Sequence, residues 1–497
     1  MRWYWLVFTF ACNSAVRPAA PAPHPTRAEV PISDPHEYAI DRISRDAGER
    51  IFTRTGIGDP YRTGIPYPMF LALMCAYPDV LAPDTQQLAA RFGFVARAAD
   101  PESDDADVRA GLPLGMHLTT DPITGVPFVV TSCALCHSER LHWRGGEATV
   151  VGLGNKRIRV HAYDAAFADV TKRAGFSVEH LGRLAADEAA AHHVAWPEQY
   201  RDAIAAATLD ALRTRAADRR ELHARTAAAN PPGRVAVIES FAFVLHAEMA
   251  PDVGWAKIPD VIGFAERTTL SWDGSQQGSL DLLAVEADVA NGVRVAWLEQ
   301  HPFQGASLGA FLRQPAARPR FPAPIDRALA DRGRVLFADS CAHCHGTYAP
   351  DGHVQSYDEQ IVPLEDLGVD PARMMAATAS FERAANDPAL TRGYTKFQRS
   401  TGYVPPVLTN VWARAPYGHA GQWPSLAFLA TPPAERPTRF AIDPAGLYDL
   451  TTVGVPLVTT GGYVHDGTRP GFSVAGHPFL ADLGPDARAV IEYLKTL

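Results

Sequence analysis

The sequence predicts a mainly α-helical protein of two domains, joined and interrupted by helical insertions and long loops. Three observations carry that expectation. At 497 residues the chain exceeds what a single core usually serves. Runs of Ala, Leu, Glu and Arg with apolar residues at helical spacing recur along it. A short cysteine–histidine unit appears twice, once near Cys133 and once near Cys341. Apolar residues make up 47% and charged residues 20%, which argues against a disordered or fibrous chain. The formal charge of −9 leaves no basic surface overall for nucleic acid.

The N-terminal end reads as an address rather than as fold. After Met1-Arg2 comes an apolar run, Trp3 to Cys12, far shorter than the roughly 20 residues a bilayer requires. One charge, then apolar residues and a small residue before a cysteine, is the layout of an export signal. Residues 1–12 are therefore expected to be an export or lipoprotein signal. Acylation of Cys12 after cleavage at Ala11-Cys12 would tether the protein to a membrane. An ordinary signal cut short by a misplaced start is the other reading, and both place the protein in the periplasm or outside the cell. The Ala- and Pro-rich stretch 13–40 suits an extended tether. With Cys12 processed, only Cys75 stands outside the repeated units, so no disulfide is expected. The acidic cluster from Asp100 to Asp107 reads as a solvated loop.

Residues 41–315 are expected to form the first domain. Within it, Val178 to about Ala229 reads as helices packed beside the core, and Val235 to Met249 as a further helical run. The Pro-rich stretch from Gln314 to Pro324 marks a boundary, and residues 320–497 form the second domain. There, Ile325 to Phe337 has apolar residues at helical spacing. Gly484 to Leu497 opens with proline in its first turn and carries an apolar stripe. These two helices are expected to pack together and close the domain. Asp370 opens another helix, with Met374 or Met375 as core residues.

The repeated units are Cys133-Ala-Leu-Cys136-His137 and Cys341-Ala-His343-Cys344-His345. In c-type haem attachment two thiols three residues apart add to the porphyrin vinyl groups, and the adjacent histidine becomes the proximal iron ligand. One such unit could be a redox dithiol or half a zinc site. Two copies in an exported chain, with no further cysteine pairs, point to two covalently bound haem c groups, with His137 and His345 as iron ligands. His343 reads as a spacer.

What closes the other face of each iron decides between electron transfer and chemistry. In the second domain His353, His419, His465 and His477 are available. His477, on the turn Ala475-Gly-His-Pro-Phe just before the closing helix, is the first choice. His419 follows, with a hydrogen bond to a haem propionate or to backbone as its other role, and His465 is third. For the first haem the candidates are His142, His161, and His246 with Met249, and no choice among them follows. An open iron there is compatible with that.

Several stretches resemble the bacterial di-haem cytochrome c peroxidase superfamily, closest to its di-haem rubber-oxygenase-like branch: Cys133 to about Phe167, Pro259 to Ala290, and Ala330 to Leu497. Leu270-Ser-Trp272-Asp-Gly274 is similar to the superfamily's Trp-Asp-Gly segment. The stretch from Leu408 to Leu426 is similar to the segment lining the C-terminal haem, and Leu364 to Arg373 also fits. Ala475-Gly-His477-Pro-Phe-Leu matches the oxygenase branch best. The resemblance implies a mainly helical fold with two cytochrome c-type haem domains facing each other, one haem relaying electrons and the other reacting. It implies Trp272 as an inter-haem electron relay and His477 as the distal ligand of the C-terminal haem. It leaves open a calcium ion between the haems.

The chain also departs from the peroxidase pattern. Peroxidases of this group carry a glutamine and a glutamate at set distances after the tryptophan. Ten and twenty residues beyond Trp272 stand Leu282 and Gly292, neither of which moves a proton. Glu266 or Glu286 would have to serve as the acid–base group. The expected function is an exported di-haem oxidoreductase with one relay haem and one haem reactive toward peroxide or dioxygen, supplied by a redox protein donor. The alternative is a pure electron-transfer cytochrome with both irons six-coordinate.

Overall fold

The computed structural model describes residues 44–54, 64–226, 231–278, 303–313, 319–391 and 396–497. The leader with Cys12, the tether to residue 40, and Leu282, Glu286 and Gly292 lie outside them. By packing, the chain divides into two compact units built from separate stretches. One comprises Met1–Cys136, Ile158–Asn230 and Asp281–Phe311; the other comprises His137–Arg157, Pro231–Leu280 and Leu312–Leu497. One crossing falls between Phe311 and Leu312. In addition, segments 137–157 and 231–280 join the C-terminal unit.

Backbone pairing explains that allegiance. Lys257 N–H donates to His419 O at 2.7 Å, and Val261 N–H to Gly152 O at 2.8 Å. Leu141 and Val150 of the hairpin Ser138–Trp143/Gly146–Val151, with Leu153 just beyond it, share one apolar cluster with Trp412 and Tyr448. A linear reading of composition has no access to such long-range pairing.

The first unit is mostly helical. Tyr67–Ala76 packs on Val178–Ala191, which continues into Arg201–Asp218 and Arg220–Thr226. Helices thus occupy most of the stretch from Val178 to Thr226. Ser177 starts the second of these helices by accepting the N–H of His180. Asp164, on the helix Val160–Val170, receives Arg215 at 2.6 Å, Arg219 at 2.9 Å and His223 at 2.9 Å, all buried or nearly so. A small antiparallel sheet of Ile65–Pro66, Pro127–Thr131 and Met116–Thr120 completes the unit, its central strand buried throughout.

In the second unit the stretch from Leu312 onward holds a long helix near its start and another at its end, with loops, short helices and small sheets between them. Asp326 caps the helix Arg327–Ser340 by accepting Leu329 N–H at 3.0 Å. That helix crosses Ala487–Leu494 so closely that a Cβ on Gly333 would lie 1.9 Å from Ala489 O. Phe337 and Tyr493 meet at the crossing with ring centroids 5.3 Å apart. Buried arginines staple the loops: Arg436 donates to the carbonyls of Val474 at 2.9 Å and Gly476 at 2.7 Å, and Arg234 to Gly421 O at 2.6 Å. The helix expected from Val235 to Met249 is shorter, Val237–Val244, because His246 takes a left-handed φ of 52°. The helix at Asp370 is the single turn Ala372–Met375; Met374 is half-buried and Met375 is 63% exposed, so neither is a core residue. Among the described residues no helix is long and apolar enough to cross a membrane.

Candidate haem-binding site

The second cysteine unit forms where the helix Arg327–Ser340 ends. Cys341 N–H closes the last turn on Phe337 O at 2.9 Å, and Ala342–His345 make one further turn. Gly346 then turns away with φ 77°; a Cβ there would sit 2.3 Å from Ser356 O. The turn delivers His345 to a cleft. Its Nδ1 lies 2.8 Å from Pro406 O, and a carbonyl only accepts, so Nδ1 carries the proton and Nε2 keeps its lone pair. Tyr348 and Tyr357 fix this arrangement: the Tyr348 hydroxyl donates to His345 O and accepts Leu408 N–H, both at 2.6 Å, and Tyr357 donates to Pro405 O at 2.6 Å.

Across the cleft stands His477. Ring centroids of His345 and His477 are 6.2 Å apart, with planes inclined by 53°. His477 has a left-handed φ of 47°, costly for a non-glycine residue and retained only where the surroundings over-determine it. Its N–H donates to Leu367 O at 2.7 Å, its carbonyl accepts from Arg436 at 3.3 Å, and Trp423 and Phe479 flank its ring at 5.7 and 5.2 Å. Its buried Nδ1 has no hydrogen-bond partner among the described residues. Burial, and then the neighbouring His345, push its pKa down to about 3; burial lowers that of His345 too, so both rings are neutral.

The cleft encloses about 1380 Å³ free of protein atoms, part of it open to solvent, and its lining is overwhelmingly apolar. Cys341 and Cys344 lie on its wall with His345 and His477. Burial pushes the Cys341 thiol up to about 11, with Cys344 adding to the effect, which suits neither a thiolate nucleophile nor a redox dithiol. Two imidazoles bound through nitrogen to opposite sides of one metal, at about 2 Å each, would place ring centroids roughly 6 to 6.5 Å apart. Thiols, opposed neutral imidazoles and an apolar slot therefore fit a covalently held haem.

The other sequence candidates separate clearly. His419 lines the same cleft but stacks on Tyr403, centroids 4.1 Å apart and planes at 15°, with Nε2 buried and unpartnered among the described residues. His465 instead uses Nε2 on Phe472 O at 2.8 Å and stacks on Phe440. His353 is an exposed partner of Asp351, and the His343 side chain is exposed.

The first cysteine unit is a single 3-10 turn, Cys133–Leu135, leading to buried Cys136, whose thiol burial pushes up to about 12. Ser132, His117 and Asp107 form a buried row before it: His117 Nδ1 lies 2.7 Å from Asp107 and Nε2 3.1 Å from Ser132. Ser132 Oγ donates onward to Thr53 O at 3.2 Å and is 2% exposed, so the row fastens the turn and offers no accessible nucleophile. His137 repeats the arrangement of His345, with Nδ1 2.9 Å from a proline carbonyl, Pro259 O. Of the candidates for its other face, His142 pairs with Glu147 at 2.9 Å and His246 is exposed. Met249 packs against the cluster that holds Ile238 and Ala242, and His161 is buried on the helix Val160–Val170.

Trp272 is half-buried, its indole N–H donating to Lys257 O at 3.0 Å. It lines the His345/His477 cleft and also a smaller neighbouring one bounded by Pro259, Ile262, Pro406 and Arg414. Glu266 ends a 3-10 turn, half-buried, with one carboxylate oxygen unpartnered among the described residues. Among those residues no group of three or more His, Cys, Asp or Glu side chains is gathered tightly enough to hold a metal ion. Sequence reasoning missed Lys257, Arg414 and the two proline carbonyls, because backbone acceptors and buried cations leave no motif.

Residues 402–441, which bring Tyr403, Pro406, Arg414, His419 and Trp423 to the cleft, match the family model described as RoxA-like, cytochrome c-like. The chain is 28% identical over 316 residues to the uncharacterized protein y4iM of Sinorhizobium fredii (strain NBRC 101917 / NGR234), covering 50% of this chain and 66% of y4iM. It is 27% identical over 251 residues to the uncharacterized protein y4iJ of the same organism, covering 36% of this chain and 41% of y4iJ. The chain thus spans less than two thirds of the length of either relative. A crystal structure of a MauG-like protein associated with microbial copper homeostasis aligns over 50% of this chain and 76% of its own, at 16% identity. Its TM-score of 0.27 is too low to assign a shared fold. A cytochrome c-like relationship therefore holds for the stretch that builds much of the cleft wall.

Proposed function

We propose that this chain is an exported di-haem c-type cytochrome of the cytochrome c peroxidase-like kind, acting as an oxidoreductase. The observation that carries the reading is the pair His345 and His477, facing each other at 6.2 Å across an apolar cleft with Cys341 and Cys344 on its wall. Haem c there would be held by Cys341, Cys344, His345 and His477 and would supply one-electron chemistry, which suits relay rather than turnover. The chain's own part is to hold two neutral imidazoles at fixed spacing and to exclude water with Trp423, Phe479 and the aliphatic wall. Pro406 O, by accepting the Nδ1 proton, orients His345 and raises its basicity.

The second haem is assigned to Cys133, Cys136 and His137, and in this reading it is the one that meets peroxide or dioxygen. Trp272, lying beside the relay cleft, passes electrons between the two. A redox protein donor supplies the electrons.

The test is the resting spectrum of the mature protein, made in a host that attaches haem c. Two haems per chain are expected. One should be low-spin and indifferent to added ligand. The other should carry a high-spin ferric component that cyanide or azide converts and peroxide alters. Two purely low-spin irons, unmoved by these additions, would turn the reading to the pure electron-transfer cytochrome. Fewer than two haems per chain would overturn both.

A further inference from the structure

His137 and His345 belong to different cysteine units, yet their Nδ1 protons go to two proline carbonyls that a single side chain ties together. That side chain bonds neither carbonyl itself; it bonds residues that follow each proline. Arg414 donates through Nη1 to Val407 O at 2.6 Å, one residue beyond Pro406. Through Nη2 it donates to Ile262 O at 3.1 Å and pairs with Asp260 at 3.2 Å, one residue beyond Pro259. The planar guanidinium is thus a fork with one prong on each carbonyl segment, a geometry that an ammonium cannot reproduce.

Lys257 extends the bracket, its ammonium donating to Arg414 O while its own carbonyl takes the Trp272 indole N–H. The Arg414 side chain is 6% exposed, and its Nε has no partner among the described residues. Burying such a cation is seldom a net gain over apolar packing, so stability alone gives little reason for it.

We propose that Arg414 is a positioning residue that couples the two proximal histidines, setting both Nδ1–H···O=C bonds through one guanidinium. It acts by fixing where Pro259 O and Pro406 O stand, and so how much each imidazole is polarised toward its iron. The proposal rests on His137 and His345 being iron ligands, as argued above. Its failure is distinguishable, because haem content of the parent protein is measured first and reports on that reading alone.

The experiment compares the parent with Arg414→Lys, which keeps the charge and loses the fork. Both midpoint potentials are followed by optical redox titration, and both ferric signals by paramagnetic resonance. Weaker Nδ1–H bonds make the imidazoles poorer donors, so both potentials should rise together and both low-field signals should shift. A change in charge alone would leave this variant where the parent stands. Arg414→Ala is the second variant, measured with and without added guanidinium, which should restore the parent values. Movement of only one potential, or of neither, in variants holding two haems would overturn the proposal. So would loss of haem from both variants with guanidinium present, which would make Arg414 a general structural residue.

Discussion

The ring of His477 faces that of His345 at 6.2 Å, although the two residues arrive by opposite means. His345 comes from the end of a capped helix, whereas His477 comes from a loop held in a left-handed conformation by Leu367 O and Arg436. The helical side is rigid by construction, and the loop side depends on a few hydrogen bonds. Sensitivity to substitution should therefore concentrate on His477.

His477→Ala should leave the haem at Cys341/Cys344 attached, since the thiols and His345 are untouched, and convert its signal from low-spin to high-spin. His477→Met should keep it low-spin and raise its midpoint potential, because thioether ligation favours the reduced iron relative to imidazole. Paramagnetic resonance and redox titration read both. An unchanged low-spin signal in the alanine variant would place the distal ligand elsewhere, with His419 the next residue on the cleft wall.

Gly333→Ala should destabilise the C-terminal unit by about 2 kcal/mol or more, since a new Cβ would lie 1.9 Å from Ala489 O and the two helices must separate. Thermal unfolding followed by circular dichroism measures it. An unchanged midpoint would mean that the crossing adjusts freely.

Much of this was legible in the sequence, and what was not has a physical cause. The cysteine spacing and the opening and closing helices rest on short-range chemistry, covalent spacing and amphipathic period; His477 stands out in the sequence only as a turn before the closing helix, and the structure places its ring 6.2 Å from that of His345. The allegiance of 137–157 and 231–280 rests on hydrogen bonds such as Val261 N–H to Gly152 O, which no local pattern encodes. His246 looked helical because its neighbours are, yet the helix stops at Val244. Arg414 was invisible because its partners are carbonyl oxygens, which every residue carries.

The first unit should be acid-sensitive in two steps. Burial lowers the pKa of His161 to about 4, against its ordinary 6.5, Arg219 and His223 adding to the effect and Asp164 opposing it. The unfolded chain then binds a proton that the folded one refuses, so stability is present above pH 6.5 and lost as pH falls from there toward 4. Asp164 feels burial as a raising influence, but Arg215, Arg219 and His223 overcome it and hold the carboxyl well below its usual value. Its contribution is complete above about pH 4 and is lost as pH falls further. His161→Gln should flatten the upper limb of the melting temperature against pH. Asp164→Asn should cost roughly 3–5 kcal/mol by leaving two buried guanidinium groups uncompensated. An identical slope between pH 6.5 and 4 in the His161 variant would sink the assignment.

Trp272→Phe keeps an aromatic ring beside both clefts but removes the N–H that Lys257 O accepts at 3.0 Å. The lost hydrogen bond should cost about 1 kcal/mol of stability, small enough for the protein to fold and to hold its haems. Phenylalanine is much harder to oxidise than tryptophan, so a relay that passes a hole through the indole should slow. A tenfold fall in electron exchange between the haems corresponds to about 1.4 kcal/mol on the barrier. A fall of at least that size is expected in rapid-mixing kinetics, where one haem is reduced and the other followed. Both resting spectra should match the parent, which separates relay from damage to either site. Parent-like exchange in Trp272→Phe would leave the tryptophan a wall of the cleft and assign the path to the bonded segments that join Pro259 and Pro406 through Arg414.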